Sequence, residues 1–324
     1  MQREVLLKVD KLRTEFFSSK NSSVTAVDKV SFNIYKGEIL GLVGESGCGK
    51  SVTSLSIMQL LRDTPGKVTN GQVLLDGRDL LKMSDAEIRS IRGGRMSMIF
   101  QEPMSALNPS MRIDRQMMET IMLHTDKNKE QARSHAADML KKVGIPDPSR
   151  VLKNYPHQLS GGMSQRVMIA MALSCGPELL IADEPTTALD VTIQAQILDL
   201  MKKLQKEDQS SILLITHDLG VVAEMCSRVI VMYAGKIVEE APVGPLFNHP
   251  AHPYTQGLIA SVPKLGSGVK ILPSIPGSVP DLASMPKGCR FAPRCKYAAA
   301  KCREKEPELA GDNHRCRCWL KQEG

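Results

Sequence analysis

The sequence of 324 residues has no long apolar run; none approaches the roughly 20 residues a helix needs to cross a bilayer. Its first residues, Met1-Gln2-Arg3-Glu4-Val5, lack the apolar core of a signal peptide, so a location in the cytoplasm is expected. It also has none of the C-x2-4-C pairs that zinc ribbons and knuckles use, although five of its eight cysteines lie between Cys289 and Cys318. In a reducing compartment such a cluster points to metal rather than disulfides. With 42% hydrophobic and 24% charged residues the composition is that of an ordinary soluble globular protein. The length suits one large domain with an appendage, or two domains. A net charge of +7 is compatible with nucleotides, nucleic acid or an anionic membrane face, and equally with an ordinary basic surface.

The stretch Gly44-Glu45-Ser46-Gly47-Cys48-Gly49-Lys50-Ser51 matches the phosphate-binding pattern G-x-x-x-x-G-K-[ST]. The apolar run Ile39–Val43 before it reads as a buried strand, and Ser51 to Leu61 reads as a helix with Leu55, Met58 and Leu61 on one face. Strand, glycine loop and helix form the context the pattern requires. The glycines let several N–H groups face one anion, and the helix start adds partial positive charge. Lys50 is expected to reach the β- and γ-phosphates, and Ser51 to place its hydroxyl on Mg²⁺. Cys48, near Lys50 and a helix start, is expected to have a lowered thiol pKa and raised reactivity.

Elsewhere, Leu6–Val9 and Val30–Ile34 read as strands, with Phe16 and Phe17 in a polar surround between them. An aromatic there could stack on adenine or simply pack beneath a loop. Gln72–Leu75 reads as a strand ending in a turn at Asp76-Gly77. Met96–Phe100 is another apolar run, stopped by Gln101-Glu102-Pro103; Gln101, at a strand end, is well placed to meet a ligand. Residues 104–158 are rich in Met, Ala, Lys and Gln, and Glu130–Val143 has a helical apolar face. Its methionines, Met104 among them, suit core filling or an adaptable surface. Leu159-Ser160-Gly161-Gly162-Met163-Ser164-Gln165-Arg166 precedes a helical run from Val167 to Cys175, with Ser160 as N-cap and bare N–H groups at the glycines.

Leu179–Glu184 is an apolar strand ending in two carboxylates, costly in a buried strand unless used. Asp183 is expected to hold Mg²⁺ directly or through water, and Glu184 to polarise the water attacking the γ-phosphate. Thr187-Ala188-Leu189-Asp190 leads into a helix. Ile212–Ile215 is a further strand, and His217, following it as Glu184 follows its own, is read as a γ-phosphate contact.

Taken in order, the loop at 44–51, Gln101, the Leu159–Arg166 signature, Asp183-Glu184, Asp190 and His217 resemble the ATPase subunits of ABC transporters over roughly residues 4–240. The resemblance implies an α/β P-loop NTPase core with an antiparallel β subdomain, a helical subdomain at about 104–178, and an irregular cysteine-rich extension at 241–324. It implies a head-to-tail dimer in which ATP lies between one subunit's loop and the other's Ser160-Gly161-Gly162. It assigns nucleotide contacts to Phe16 (on adenine), Gly44, Ser46, Gly47, Cys48, Gly49, Lys50, Ser51, Val52 and Asp190. Mg²⁺ falls to Ser51, Gln101 and Asp183, and catalysis to Glu184, His217 and Gln101. With the motifs intact, an active ATPase is expected. Soluble relatives acting on nucleic acid or ribosomes usually carry two cassettes or a long coiled-coil insertion, and neither is present. A redox sensor with a vestigial ATPase conflicts with the intact Glu184 and His217.

The tail resembles the extension of ATP-binding subunits from bacterial dipeptide and oligopeptide importers, through His252–Leu258, Ile275–Pro280 and Gly288–Cys295. Nickel importers share it. The implied partners are a second, non-identical ATPase, two transmembrane permeases and an extracytoplasmic binding protein, with no nucleic acid, at the cytoplasmic face of the inner membrane. The cysteine spacing C-x5-C-x6-C names no metal by itself. The resemblance implies a [4Fe–4S] cluster on Cys289, Cys295, Cys302 and Cys318, with Cys316 as the alternative fourth ligand. Lys287, Arg290, Arg294, Lys296, Lys301 and Arg303 are expected to favour thiolates there. Residues 262–288, rich in Pro and Gly, are expected to be irregular.

Overall fold

The computed structural model describes residues 3–18, 22–187, 189–262 and 274–322. Ala188, and residues 263–273 of the stretch 262–288 read as irregular, lie outside the described residues. The strands in chain order are β1 (Val5–Phe17), β2 (Ser23–Tyr35), β3 (Ile39–Val43), β4 (Gly66–Leu75), β5 (Arg78–Asp79), β6 (Met96–Ile99), β7 (Leu179–Asp183), β8 (Ser211–Thr216), β9 (Arg228–Tyr233), β10 (Lys236–Pro242) and β11 (Arg315–Cys316). The chain forms two compact units: residues 1–4, 35–38 and 82–214, and residues 5–34, 39–81 and 215–324.

In the first unit the strand order is β8-β7-β6, and β6 and β7 run parallel with Ile99 opposite Ala182. All residues of β6, β7 and β8 are buried. They read as continuous apolar runs because a parallel sheet is covered on both faces. The helices of this unit include Ile113–His124, Lys129–Lys142 and Gly161–Leu173. Asn128 and Gln131 form a capping box at the second of these, and Ala132, Ala136, Met139 and Leu140 bury its apolar stripe. The third begins at Gly161, as expected with Ser160 as its N-cap: the Ser160 hydroxyl accepts from the Met163 N–H.

The second unit holds a four-stranded sheet of order β2-β1-β4-β5 and strands ordered β11-β10-β9-β3. β1 pairs antiparallel with β4, which is the antiparallel subdomain. β1 extends through Phe17, so Phe16 and Phe17 lie on a strand and not in a loop: Phe16 pairs with Gly66, whose missing side chain leaves room for the ring. The Asp76-Gly77 hairpin forms as expected, both residues at positive φ (45° and 77°), as a type I′ turn needs. The helix after the phosphate loop, Lys50–Ile57, ends short of the expected Leu61. Gln59 turns left-handed there and its side chain bonds the Leu80 carbonyl, although Met58 and Leu61 are still buried.

The C-terminal extension is built into this second unit. β11 pairs antiparallel with β10, Cys316 opposite Glu239. Glu239 is fully buried and accepts from the Ala251 and His252 N–H groups, at 2.7 and 2.8 Å, and from His314 Nε2 at 2.6 Å. A buried carboxylate is tolerable only with such partners, so this one pins the start and the end of the extension to the same strand.

Candidate nucleotide site

Parallel pairing of β6 and β7 decides the first cluster. With Ile99 opposite Ala182, the residues two further along, Gln101 and Glu184, emerge side by side. Gln101 Nε2 donates to Glu184 Oε2 at 3.1 Å, and Thr187 Oγ1 donates to the same oxygen at 2.9 Å. Asp183, one residue earlier, is buried at 5% exposure. Glu184 has φ +47°, a left-handed conformation that a non-glycine residue adopts at some cost. Strain of this kind at the end of a buried strand marks a residue whose direction matters. Thr187 and the strain had no signal in the sequence.

The signature segment is tied to this cluster. Gln165, 1% exposed, donates its amide to the Pro185 carbonyl, the residue after Glu184. Arg166 reaches the Val143 carbonyl at 2.6 Å and Gln196 Oε1 at 2.9 Å. Gly162 faces Ile193, where an added Cβ would meet Cγ2 at 3.2 Å. Ser160 and Gly161 are exposed. Asp190 caps the helix Val191–Asp208 by accepting from the Ile193 N–H at 2.9 Å. The structure therefore brings Gln101, Asp183, Glu184 and the signature into one unit.

The phosphate loop, Phe16 and His217 belong to the second unit. Gly47 and Gly49 have φ of +77° and +102°, and a Cβ on Gly49 would meet the Ala26 carbonyl at 2.7 Å. Only glycine fits there on both counts. Gly49 gives the helix Lys50–Ile57 no side-chain cap and its first turn holds no acidic residue, which leaves the N-terminal dipole to an anion. Ser46 and Gly47 are exposed, and Ser51 and Val52 half-buried. Lys50 Nζ donates to the Gly44 carbonyl at 2.8 Å and the Glu45 carbonyl at 3.1 Å. The Thr14 and Ser56 hydroxyls bond at 2.8 Å and fasten β1, on which half-buried Phe16 sits, to the same helix. His217 is exposed just beyond β8.

Cys48 corrects the expectation of a reactive thiol. It is fully buried, and burial pushes its pKa up; Lys50, with Nζ 4.0 Å from the sulfur, opposes this only in part. Proximity to a lysine was legible in the sequence, but burial, the larger effect, was not.

In the tail, Cys289, Cys295, Cys302 and Cys318 line one small cavity of about 20 Å³ together with His252, Phe291 and Trp319. Cys316 is a buried strand residue and does not line it. Of the cations expected to favour thiolates, Arg290 pairs with Asp28 and Arg294 with Glu45, while Lys301 lies over the Trp319 ring and Lys296 over the Tyr297 ring, both of which line the cavity. Burial therefore dominates, and the Cys289 thiol is pushed up to about 11, with Cys295 and Cys318 also raised. Among the described residues no group of three or more His, Cys, Asp or Glu side chains is arranged to hold a single metal ion. Four thiols are the donor set a cluster takes, but a cavity of about 20 Å³ has room for little more than one water. His252, at 1% exposure, is held neutral by burial, its pKa near 3, and its Nδ1 accepts from the Tyr254 N–H.

With this geometry in place, the likeness to known proteins is specific. The ABC transporter family model matches residues 27–187, and the model for the oligopeptide/dipeptide transporter C-terminal region matches residues 238–302. The oligopeptide transport ATP-binding protein AppD of Bacillus subtilis is 52% identical, over 98% of this chain and 97% of its own. The chain belongs to the ATP-binding subunits of ABC dipeptide and oligopeptide transporters. The dipeptide transport ATP-binding protein DppD of Escherichia coli is 49% identical over 97% of this chain and 96% of its own. Among solved structures, a dimeric post-hydrolysis state of the ATP-binding cassette MJ0796 bound to ADP and Pi aligns with TM-score 0.66 and 30% identity, over 73% of this chain and 98% of that one. This ABC subunit is thus an ATPase with the P-loop fold, and among its described residues no helix is long and apolar enough to cross a membrane.

Proposed function

We propose that this chain is the ATP-hydrolysing motor of a bacterial importer for di- or oligopeptides. The observation that carries the reading is that identity near one half runs through the whole chain and includes the C-terminal region at 238–302, beyond the ATPase core. In this reading Lys50 and the uncapped N–H groups of the loop hold the phosphates, an incoming phosphate exchanging with the Gly44 and Glu45 carbonyls for the ammonium. Ser51, Gln101 and Asp183 serve Mg²⁺. Glu184, aimed by Gln101 and Thr187, orients the attacking water, and His217 contacts the γ-phosphate. Phe16 stacks on adenine. Ser160, Gly161 and Gly162 close over the nucleotide of a partner ATPase, near Asp190.

The partners are a second, non-identical ATPase, two transmembrane permeases and an extracytoplasmic binding protein, with the chain peripheral on the cytoplasmic face of the inner membrane. Cys289, Cys295, Cys302 and Cys318 hold a [4Fe–4S] cluster, which cross-links the irregular tail and takes no part in hydrolysis. Purification with the permeases, reconstitution in liposomes and addition of the binding protein should give ATP turnover stimulated by peptide. A chain that never associates with integral membrane subunits, or turnover stimulated by nickel and not peptide, would overturn it.

A further inference from the structure

Glu45, the second residue of the phosphate loop, has each of its polar groups engaged. Its N–H donates to the Tyr254 hydroxyl at 2.9 Å. Its carboxylate receives a forked bond from Arg294, Nη1 to Oε2 at 2.7 Å and Nη2 to Oε1 at 3.2 Å. Its carbonyl accepts from Lys50 Nζ. One residue therefore joins the phosphate-binding lysine to two side chains of the C-terminal extension, 209 and 249 residues away in sequence.

The two side chains are themselves held. The Arg294 side chain is 6% exposed, donates Nε to the Pro276 carbonyl at 2.9 Å and Nη2 to the Ile275 carbonyl at 3.2 Å, and its guanidinium carbon lies 5.8 Å from the Tyr233 ring centroid. Tyr254 is fully buried, and its ring packs on Tyr233 at 4.6 Å and Phe291 at 5.4 Å. A planar guanidinium on a carboxylate in such surroundings fixes direction as well as distance.

A loop with three glycines is costly to order, and any group that orders it beforehand removes that cost from ligand binding. We propose that Arg294 and Tyr254 are positioning residues that hold the phosphate loop, through Glu45, in the shape that accepts a nucleotide triphosphate. The extension is in this sense a wall of the nucleotide site. The proposal rests on the ATPase reading, and its test separates the two.

The measurements are MgATP affinity by competition with a fluorescent nucleotide, and KM and kcat in the reconstituted complex. Arg294→Ala should weaken MgATP binding and raise KM by about tenfold, the loss of roughly one charge-assisted pair, with kcat at saturating MgATP changed less than threefold. Arg294→Lys should recover part of the affinity, because a point charge replaces the fork. Glu45→Gln removes the same pair from a more exposed partner, so it serves if Arg294→Ala folds poorly; it should show the same loss. In the double variant the losses should not add. Nucleotide affinity within twofold of wild type in folded Arg294→Ala or in Glu45→Gln would overturn the proposal. If Lys50→Ala abolishes binding while those variants bind normally, the ATPase reading stands and the positioning role alone falls.

Discussion

Gln101 Nε2 donates to Glu184 Oε2 at 3.1 Å, a bond spanning 83 residues that follows from the register of two parallel strands. The same carboxylate oxygen accepts from Thr187, and the backbone beneath it is left-handed. Two donors and a left-handed backbone together fix the direction of this carboxylate.

Replacing Glu184 by Gln keeps the shape and removes the charge. MgATP binding should stay near wild type while kcat falls between about 10²- and 10⁴-fold. Phosphate release and nucleotide binding, measured side by side, check this; hydrolysis at the wild-type rate in the reconstituted complex would remove Glu184 from the mechanism.

His217 is exposed just beyond β8, so its truncation costs the fold little. His217→Ala should lower kcat at least about tenfold by loss of one hydrogen bond to developing charge, with the melting temperature unchanged. An unchanged kcat would leave His217 without a catalytic part.

Asp190 caps the helix Val191–Asp208. Asp190→Ala should cost about 1 kcal/mol of stability, while Asp190→Asn keeps the cap. If Asp190 also serves the nucleotide dimer, Asn should lower ATPase activity with stability preserved. Thermal melts and turnover of both variants separate the two roles.

Cys48 should label slowly. Its thiol is buried and its pKa raised, so a maleimide at pH 7 should modify the native chain at least about a hundredfold more slowly than the unfolded chain, because local opening must come first. A raised pKa leaves the thiol neutral at pH 7, and the rate should climb as pH rises toward that pKa. Rapid labelling at pH 7 with nucleotide binding lost in proportion would restore the reactive thiol.

Iron analysis of anaerobically purified protein tests the tail. Cys318→Ser should lose the iron and Cys316→Ser keep it, since Cys318 lines the thiol cavity and Cys316 does not. Loss of iron from Cys316→Ser alone would exchange the ligands, and stoichiometric zinc in colourless protein would dismiss the cluster.

The sequence by itself determined whatever depends on neighbours along the chain. The glycines of the loop, the buried runs of β3, β6, β7 and β8, the Asp76-Gly77 turn, and the cap at Ser160 all follow from local backbone and hydrogen-bond rules. So does the order of the motifs that mark the family. Only the tertiary structure decided matters of burial and of contact across long stretches of chain. It extended β1 through Phe16, because pairing with β4 supplied partners that no local pattern announces. It reversed the expected shift at Cys48, where desolvation outweighs Lys50, and at Cys289, Cys295 and Cys318, where burial dominates and Arg290 and Arg294 are paired with Asp28 and Glu45. It chose Cys318 over Cys316 as a cavity-lining thiol, since pairing with β10 commits Cys316 to a strand. And it joined Glu45 to Arg294, whose separation of 249 residues puts their pairing beyond any periodicity a sequence can display.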